Sequence, residues 1–226
     1  PKEATKWYRK AAKRDFPPAM NNLAALLAGG ALGKPNLKEA VKWYTRAAEL
    51  GYGLAQFNLA RHSQTGEGVA ADEAEAFAWF QKAAEQELAS AQNNLGVFHS
   101  AGRSVEADEA QAVGWFRKAV EQGQLQAQYN LAVRLRDGRG AEADASGARE
   151  LFGKVAEAGV PTAQFALAQM WAAGEGGEPD ETNATQWYRK AAEQGHAAAQ
   201  NNLALRLVEG IGVEANLTEA IEWYQK

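Results

Sequence analysis

The chain has 226 residues, 46% of them hydrophobic, with 24 Lys and Arg against 28 Asp and Glu. Its net charge of −4 leaves no basic footprint for nucleic acid and no polybasic patch for anionic lipid. The lack of cysteine excludes disulfide frameworks, Cys-zinc sites and thiol catalysis, and no apolar stretch is long enough for membrane insertion.

Taken in order, the elements repeat. Bulky pairs stand at Trp7-Tyr8, Trp43-Tyr44, Trp79-Phe80, Trp115-Phe116, Leu151-Phe152, Trp187-Tyr188 and Trp223-Tyr224, always 36 residues apart. An Ala column (Ala4 to Ala220), a Leu column (Leu23 to Leu203), a Gly column (Gly30 to Gly210) and an Asx column (Asn36 to Asn216) keep the same period. A lone second helix is expected over 1–14, then full helix pairs at about 17–50, 53–86, 89–122, 125–158 and 161–194, then a shortened pair over 197–226. The chain begins at Pro1 without Met and stops at Lys226 within a helical pattern, which reads as a fragment or processed form with any signal segment outside it.

Local chemistry explains each unit. The Asx side chain can cap the amphipathic helix that follows it. From Asp72 the apolar positions Ala76, Trp79, Phe80, Ala83 and Ala84 fall at i, i+3, i+4, i+7 and i+8 of one helix face. Lys82 suits the negative C-terminal end, and Gly51, Gly123, Gly159 and Gly195 supply the left-handed stop. The other helix buries residues such as Ala55, Leu59 and Ala60 and ends at the Gly66 column. Small Ala columns bring helices close, and the Trp–aromatic pairs are expected to fill the remaining core.

The pattern A-Q-x-N-L-A/G, a Gly loop, Asx, then A-x-x-W-Y/F-x-K-A-A-E-Q-G resembles the Sel-1-like repeat, a relative of the tetratricopeptide repeat. The stretch Ala91 to Gly123, AQNNLGVFHSAGRSVEADEAQAVGWFRKAVEQG, carries it most fully, and the resemblance covers residues 1–226 as a single solenoid. It implies an all-α, right-handed αα-superhelix whose first helices line the concave side, and a role as adaptor or scaffold. Many bacterial members are exported or membrane-associated, so the resemblance favours a periplasmic or exported location. A Cys-rich branch linked to β-lactam binding is not matched, because the chain has no Cys.

Departures from the repeat are informative. Leu151 replaces Trp, and Gly147 and Gly153 interrupt the same helix, each costing about 1 kcal/mol relative to Ala; the helix over 145–158 is expected to be the softest. Glu87 replaces the stop Gly, and the prolines of Asp15 to Ala19 are expected to substitute for it at the first junction.

Most candidate sites dissolve into framework. The Gln56, Gln92, Gln128, Gln164 and Gln200 column and the Asn22, Asn58, Asn94, Asn130 and Asn202 column recur too regularly for a singular site and read as hydrogen bonds between repeats. The Gly loops lack the Lys-Ser/Thr of a phosphate cradle. His62, His99 and His196 have no carboxylates at metal spacing, and no Ser has a nucleophile context. No metal or cofactor is expected.

One face behaves differently. With Leu59 at 0° and about 100° per residue, Leu54, Phe57, Arg61, Gln64 and Thr65 lie on the side opposite the core. One phase there reads Asn21, Phe57, Asn93, Tyr129, Phe165, Asn201; another reads Ala25, Arg61, Val97, Val133, Gln169, Leu205. A variable, partly aromatic column on a constant framework suits a groove for a protein or peptide partner. Phe57, Tyr129 and Phe165 are the expected anchors, Arg61, Arg136 and Gln169 the polar contacts, and Asn93 and Asn201 complete the face; packing between adjacent first helices is the other use of the aromatics. The chain is therefore read as a non-catalytic interaction scaffold. The rival reading is a cell-envelope enzyme or a β-lactam or glycan binder, for which no converging acid, base or nucleophile is found. Ends with incomplete neighbours, at Trp7 and Trp223, are also suited to self-association.

Overall fold

The computed structural model describes residues 2–31 and 33–226, and among them the regular elements are helices. They are α1 (Lys2–Ala12), α2 (Pro17–Ala28), α3 (Leu37–Glu49), α4 (Gly53–Thr65), α5 (Glu73–Glu85), α6 (Ala89–Ala101), α7 (Glu109–Glu121), α8 (Leu125–Asp137), α9 (Ala145–Glu157), α10 (Pro161–Ala173), α11 (Glu181–Glu193), α12 (Ala197–Glu209) and α13 (Leu217–Tyr224). Pro1, the first residue of the helix expected over 1–14, lies outside the described residues. Two compact units form, residues 1–122 with α1 to α7 and residues 123–226 with α8 to α13. Within each unit, helices consecutive in the chain pack on one another.

The same chemistry starts each second helix from α3 onward. The side chains of Asn36, Asp72, Asp108, Asp144, Asp180 and Asn216 accept from the backbone N–H three residues on, in α3, α5, α7, α9, α11 and α13. The first helices α4, α6, α8, α10 and α12 stop at glycines with φ between 64° and 75°, as at Gly102 and Gly66, whereas α2 stops at Gly29 with φ of −76°. At the second-helix stop, Glu87 and Asp15 take the left-handed conformation themselves, with φ of 59° and 58°. Asp15, rather than the prolines, therefore fills the glycine's place; Pro17 and Pro18 begin α2, where their missing N–H costs nothing.

The Ala and Leu columns are buried, with Ala40, Ala76, Ala112, Ala148, Ala184 and Ala220 fully so; Ala4, in α1, is exposed. The Trp–aromatic pairs divide, contrary to the expectation that both members face inward. Phe80, Phe116 and Phe152 are wholly buried, and Tyr44 and Tyr188 nearly so. Trp43, Trp79, Trp115 and Trp187 are only half-buried, and Trp7 is exposed. The i, i+3 spacing accounts for three of them: Trp79, Trp115 and Trp187 each lie on the helix flank beneath the Lys three residues later. Lys82 Nζ stands 4.0 Å from the Trp79 ring, Lys118 4.2 Å from Trp115 and Lys190 3.7 Å from Trp187. The basic column thus has a partner beyond the helix end.

The Gln column ties repeats together as expected. Gln56 Nε2 donates to Ala48 O, while its Oε1 accepts from Gln86 Nε2 at 2.8 Å. Gln122 to Gln92 and Gln194 to Gln164 repeat the second bond. The Asn column is less uniform. Asn58 reaches Asn21 across two helices at 2.9 Å, but Asn94 and Asn202 bond backward within their own helices, to Ser90 O and Ala198 O.

Candidate functional site

The candidate face is carried by α2, α4 and α6 in the first unit and by α8, α10 and α12 in the second. Each helix turns its Ala and Leu columns inward, which leaves the opposite columns nearer solvent. Arg61, Gln169 and Asn201 are exposed, whereas Asn93 is buried, with 7% of its surface accessible. Phe57, Tyr129 and Phe165 are half-buried and each packs edge-on against a core aromatic. Phe57 meets Phe80 at 5.7 Å, Tyr129 meets Phe152 at 5.4 Å and Phe165 meets Tyr188 at 5.7 Å, with His196 stacked on Phe165 at 4.7 Å. Arg136 pairs with Asp137 at 2.9 Å and lies 5.9 Å from the Phe152 ring. The aromatics therefore serve the core with one edge, and Arg61, Gln169 and Asn201 are the exposed polar positions of the face. Phe57, Arg61 and Asn93 belong to the first unit, and Tyr129, Arg136, Phe165, Gln169 and Asn201 to the second.

In the first unit the face holds a polar cavity of about 340 Å³ beside the end of α2, lined by Leu37, Tyr44, Asn58, Arg61, His62 and Glu67 among others. The His62 ring lies 5.4 Å from Tyr44, and its Nδ1 is 2.8 Å from the Glu67 carbonyl oxygen. Burial pushes the Tyr44 hydroxyl above the usual phenol range, and the charge of Arg61 opposes that shift. Of these, sequence reasoning singled out only Arg61. The available signal was rarity: Arg61 is the one charged residue in its column, and His62 the one His in its own.

A second cleft, of about 400 Å³, opens in the other unit beside α9, lined by Arg149, Gly153, Trp171 and Trp187 among others. It follows from the departures in α9, since a Cβ on Gly153 would meet nothing within 4 Å. Arg149 stacks on Trp171 at 4.3 Å, and its buried Nη1 has no hydrogen-bond partner. Among the described residues, no group of three or more His, Asp or Glu is placed to hold a metal ion, and no helix is long and apolar enough to cross a membrane.

The Sel1 repeat family matches at residues 1–16, 17–52, 53–88, 89–124, 125–160, 161–196 and 197–226. No curated protein matches. Among solved structures, c5321, described as a protective antigen of uropathogenic Escherichia coli displaying an SLR fold, is 34% identical with a TM-score of 0.93, covering 98% of this chain. The chain spans 47% of that protein's length. A Sel1 repeat protein from Oxalobacter formigenes is 31% identical with a TM-score of 0.82, covering 93% of this chain and 84% of its own. A putative Sel1 repeat protein from Klebsiella pneumoniae, 25% identical, has a TM-score of 0.51 and covers 82% of this chain and 90% of its own. The fold class is thus the all-α superhelix of helix-pair repeats that the period implies, and the chain belongs to the Sel1-repeat family.

Proposed function

We propose that this Sel1-repeat chain is a non-catalytic interaction scaffold whose first-helix faces bind an extended segment of a protein partner. One observation carries the reading. Arg61, Gln169 and Leu205 are exposed on the same helical phase and share no chemistry, whereas the buried columns are nearly constant. Side chains free of packing duties are where partner identity can be encoded. Phe57, Tyr129 and Phe165 add apolar area beside them, each with one edge held by the core. In this reading Arg61 and Asn93 act with Phe57 in the first unit, and Arg136, Gln169 and Asn201 with Tyr129 and Phe165 in the second, Asn93 supporting from beneath the surface. Self-association is part of the same proposal, through the exposed Trp7 and Phe16 near one terminus and Leu217, Ile221 and Tyr224 near the other.

Replacing Phe57, Tyr129 and Phe165 by Ala would also lower stability, because those rings touch the core. A photo-crosslinking residue at 61, 169 or 201, compared with one at the exposed second-helix positions Ala78 and Gln186, separates the faces cleanly. Protein adducts are expected from the first set and not from the second. Equal or reversed labelling would overturn the assignment. Sedimentation of the chain with and without Trp7→Ser and Ile221→Ser tests self-association; an unchanged monomer in both rules it out.

A further inference from the structure

We infer that the polar cavity of the first unit is a subsite for a carboxylate, with Arg61 as the group that recognises it; this deepens the peptide-binding reading above and rests on it. Three observations converge. Arg61 is exposed and lines the cavity, and its side chain makes no hydrogen bond or ion pair among the described residues. By contrast Arg9, Arg46, Arg103, Arg136, Arg189 and Arg206 each meet a carboxylate of their own unit.

The second observation is an internal precedent. Four repeats after Tyr44 and His62 stand Tyr188 and Arg206, and four repeats after Leu37 stands Glu181. There the chain supplies its own acid. Arg206 Nη1 is 2.7 Å from Glu181 Oε2 and 3.1 Å from the Thr185 hydroxyl, and its guanidinium lies 5.0 Å from the Tyr188 ring. The same first-turn position in α5 is Glu73, which pairs with Arg103, and in α7 it is Glu109, which accepts from Ser100 at 3.1 Å. In α3 that position is Leu37, so the tyrosine and a neighbouring cation remain but no acid stands at this position, and the turn's one acid, Glu39, pairs with Arg9. A ligand carboxylate at Arg61 would take the place that Glu181 takes at Arg206, with the cation standing one residue earlier in the repeat. Guanidinium–carboxylate pairing of this kind is strong because both partners are charged.

The third observation is charge. Glu67 is the one carboxylate lining the cavity, and its side chain is exposed without an ion pair among the described residues. It opposes an incoming acid, whereas Arg61 attracts one. The two residues therefore predict effects of opposite sign, which a purely structural role for either does not.

The test is a nuclear magnetic resonance titration of the whole chain with three small probes. N-acetyl-glutamate N-methylamide presents a side-chain carboxylate, N-acetyl-alanine a chain-terminal one, and N-acetyl-glutamine N-methylamide none. The acids are expected to shift the Arg61 Nε–H and Asn58 side-chain signals saturably, the neutral probe not; the tighter acid identifies the source. Arg61→Gln should weaken acid binding about tenfold or more. Glu67→Gln should tighten it, and Leu37→Glu, restoring an internal acid, should abolish it. Equal binding of the neutral probe, or an Arg61→Gln variant with unchanged affinity, would overturn the subsite. Because the probes need no partner, the two readings fail separately. Crosslinking at 61 without any probe response removes the subsite alone, and probe response without adducts at 61, 169 or 201 removes the peptide reading alone.

Discussion

At the residue scale, one missing side chain shows how tightly the repeat is wired. Gln86, Gln122 and Gln194 each donate to a Gln 30 positions earlier, but the same phase in α9's junction is Ala158, and its counterpart Gln128 is left with a buried, unpartnered Oε1. Restoring the donor with Ala158→Gln should raise unfolding free energy by about 0.5–1.5 kcal/mol, read from urea midpoints at constant slope. Where Leu50 takes the Gln's place, Met20 stands opposite it, so the pair has changed together. Gly96 carries the opposite lesson. A Cβ there would lie 2.5 Å from the wholly buried Phe116 ring, so Gly96→Ala should destabilise by about 1–3 kcal/mol despite its better helix propensity. Phe80→Ala should cost about 3–5 kcal/mol, and Trp79→Ala clearly less, because the indole is already partly exposed beneath Lys82.

At the element scale, α9 gathers the departures: Leu151 for Trp, glycines at 147 and 153, and an Arg149 nitrogen without a partner. Its two glycines are not equivalent. Gly153 faces open space, so Gly153→Ala should stabilise the unit by about 1 kcal/mol. At Gly147 an added Cβ would collide with the capping carboxylate of Asp144, so Gly147→Ala should give no such gain. Hydrogen exchange is expected to show α9 opening before α11, whose cap, Trp187 and Gln194 are all intact. Faster exchange in α11 would contradict this.

At the scale of the whole molecule, the repeated caps make stability depend on pH in a defined direction. Backbone N–H groups of Gln111, Gly147 and Asn183 hold Asp108, Asp144 and Asp180 below the usual aspartate range, and hydrogen bonds from Arg103 and Arg189 do the same for Glu73 and Glu219. A lowered folded value means stability that is present above the ordinary carboxylate range and lost as pH falls through the folded values. Burial raises Tyr44 and Tyr188, so their contribution is present below the ordinary tyrosine pKa of about 10 and lost as pH rises beyond it. Urea midpoints should therefore be flat near neutrality, fall below about pH 4, and fall again above about pH 10. The double variant Tyr44→Phe and Tyr188→Phe should reduce the alkaline fall and leave the acid one; an unchanged alkaline limb would show that burial of these hydroxyls is not its cause.

The sequence by itself determined the helices, their caps, their stops and the register of the buried Ala and Leu columns. Those depend on local hydrogen bonding within each unit and on a 36-residue period that recurs along the chain. It also located the face whose chemistry varies. Only the tertiary structure decided how each residue on that face is used. A column position at one helical angle is exposed at Asn201, buried at Asn93 and pressed edge-on against a core ring at Phe57. The difference lies in what the adjoining helix presents, such as Phe80 beneath Phe57, and helical periodicity along one helix does not encode its neighbour. The same reason hid the cavity at Arg61. Its walls come from α2, α3, α4 and the loop after α4, and it exists because Leu37, a residue of a different helix, is not the glutamate found four repeats later.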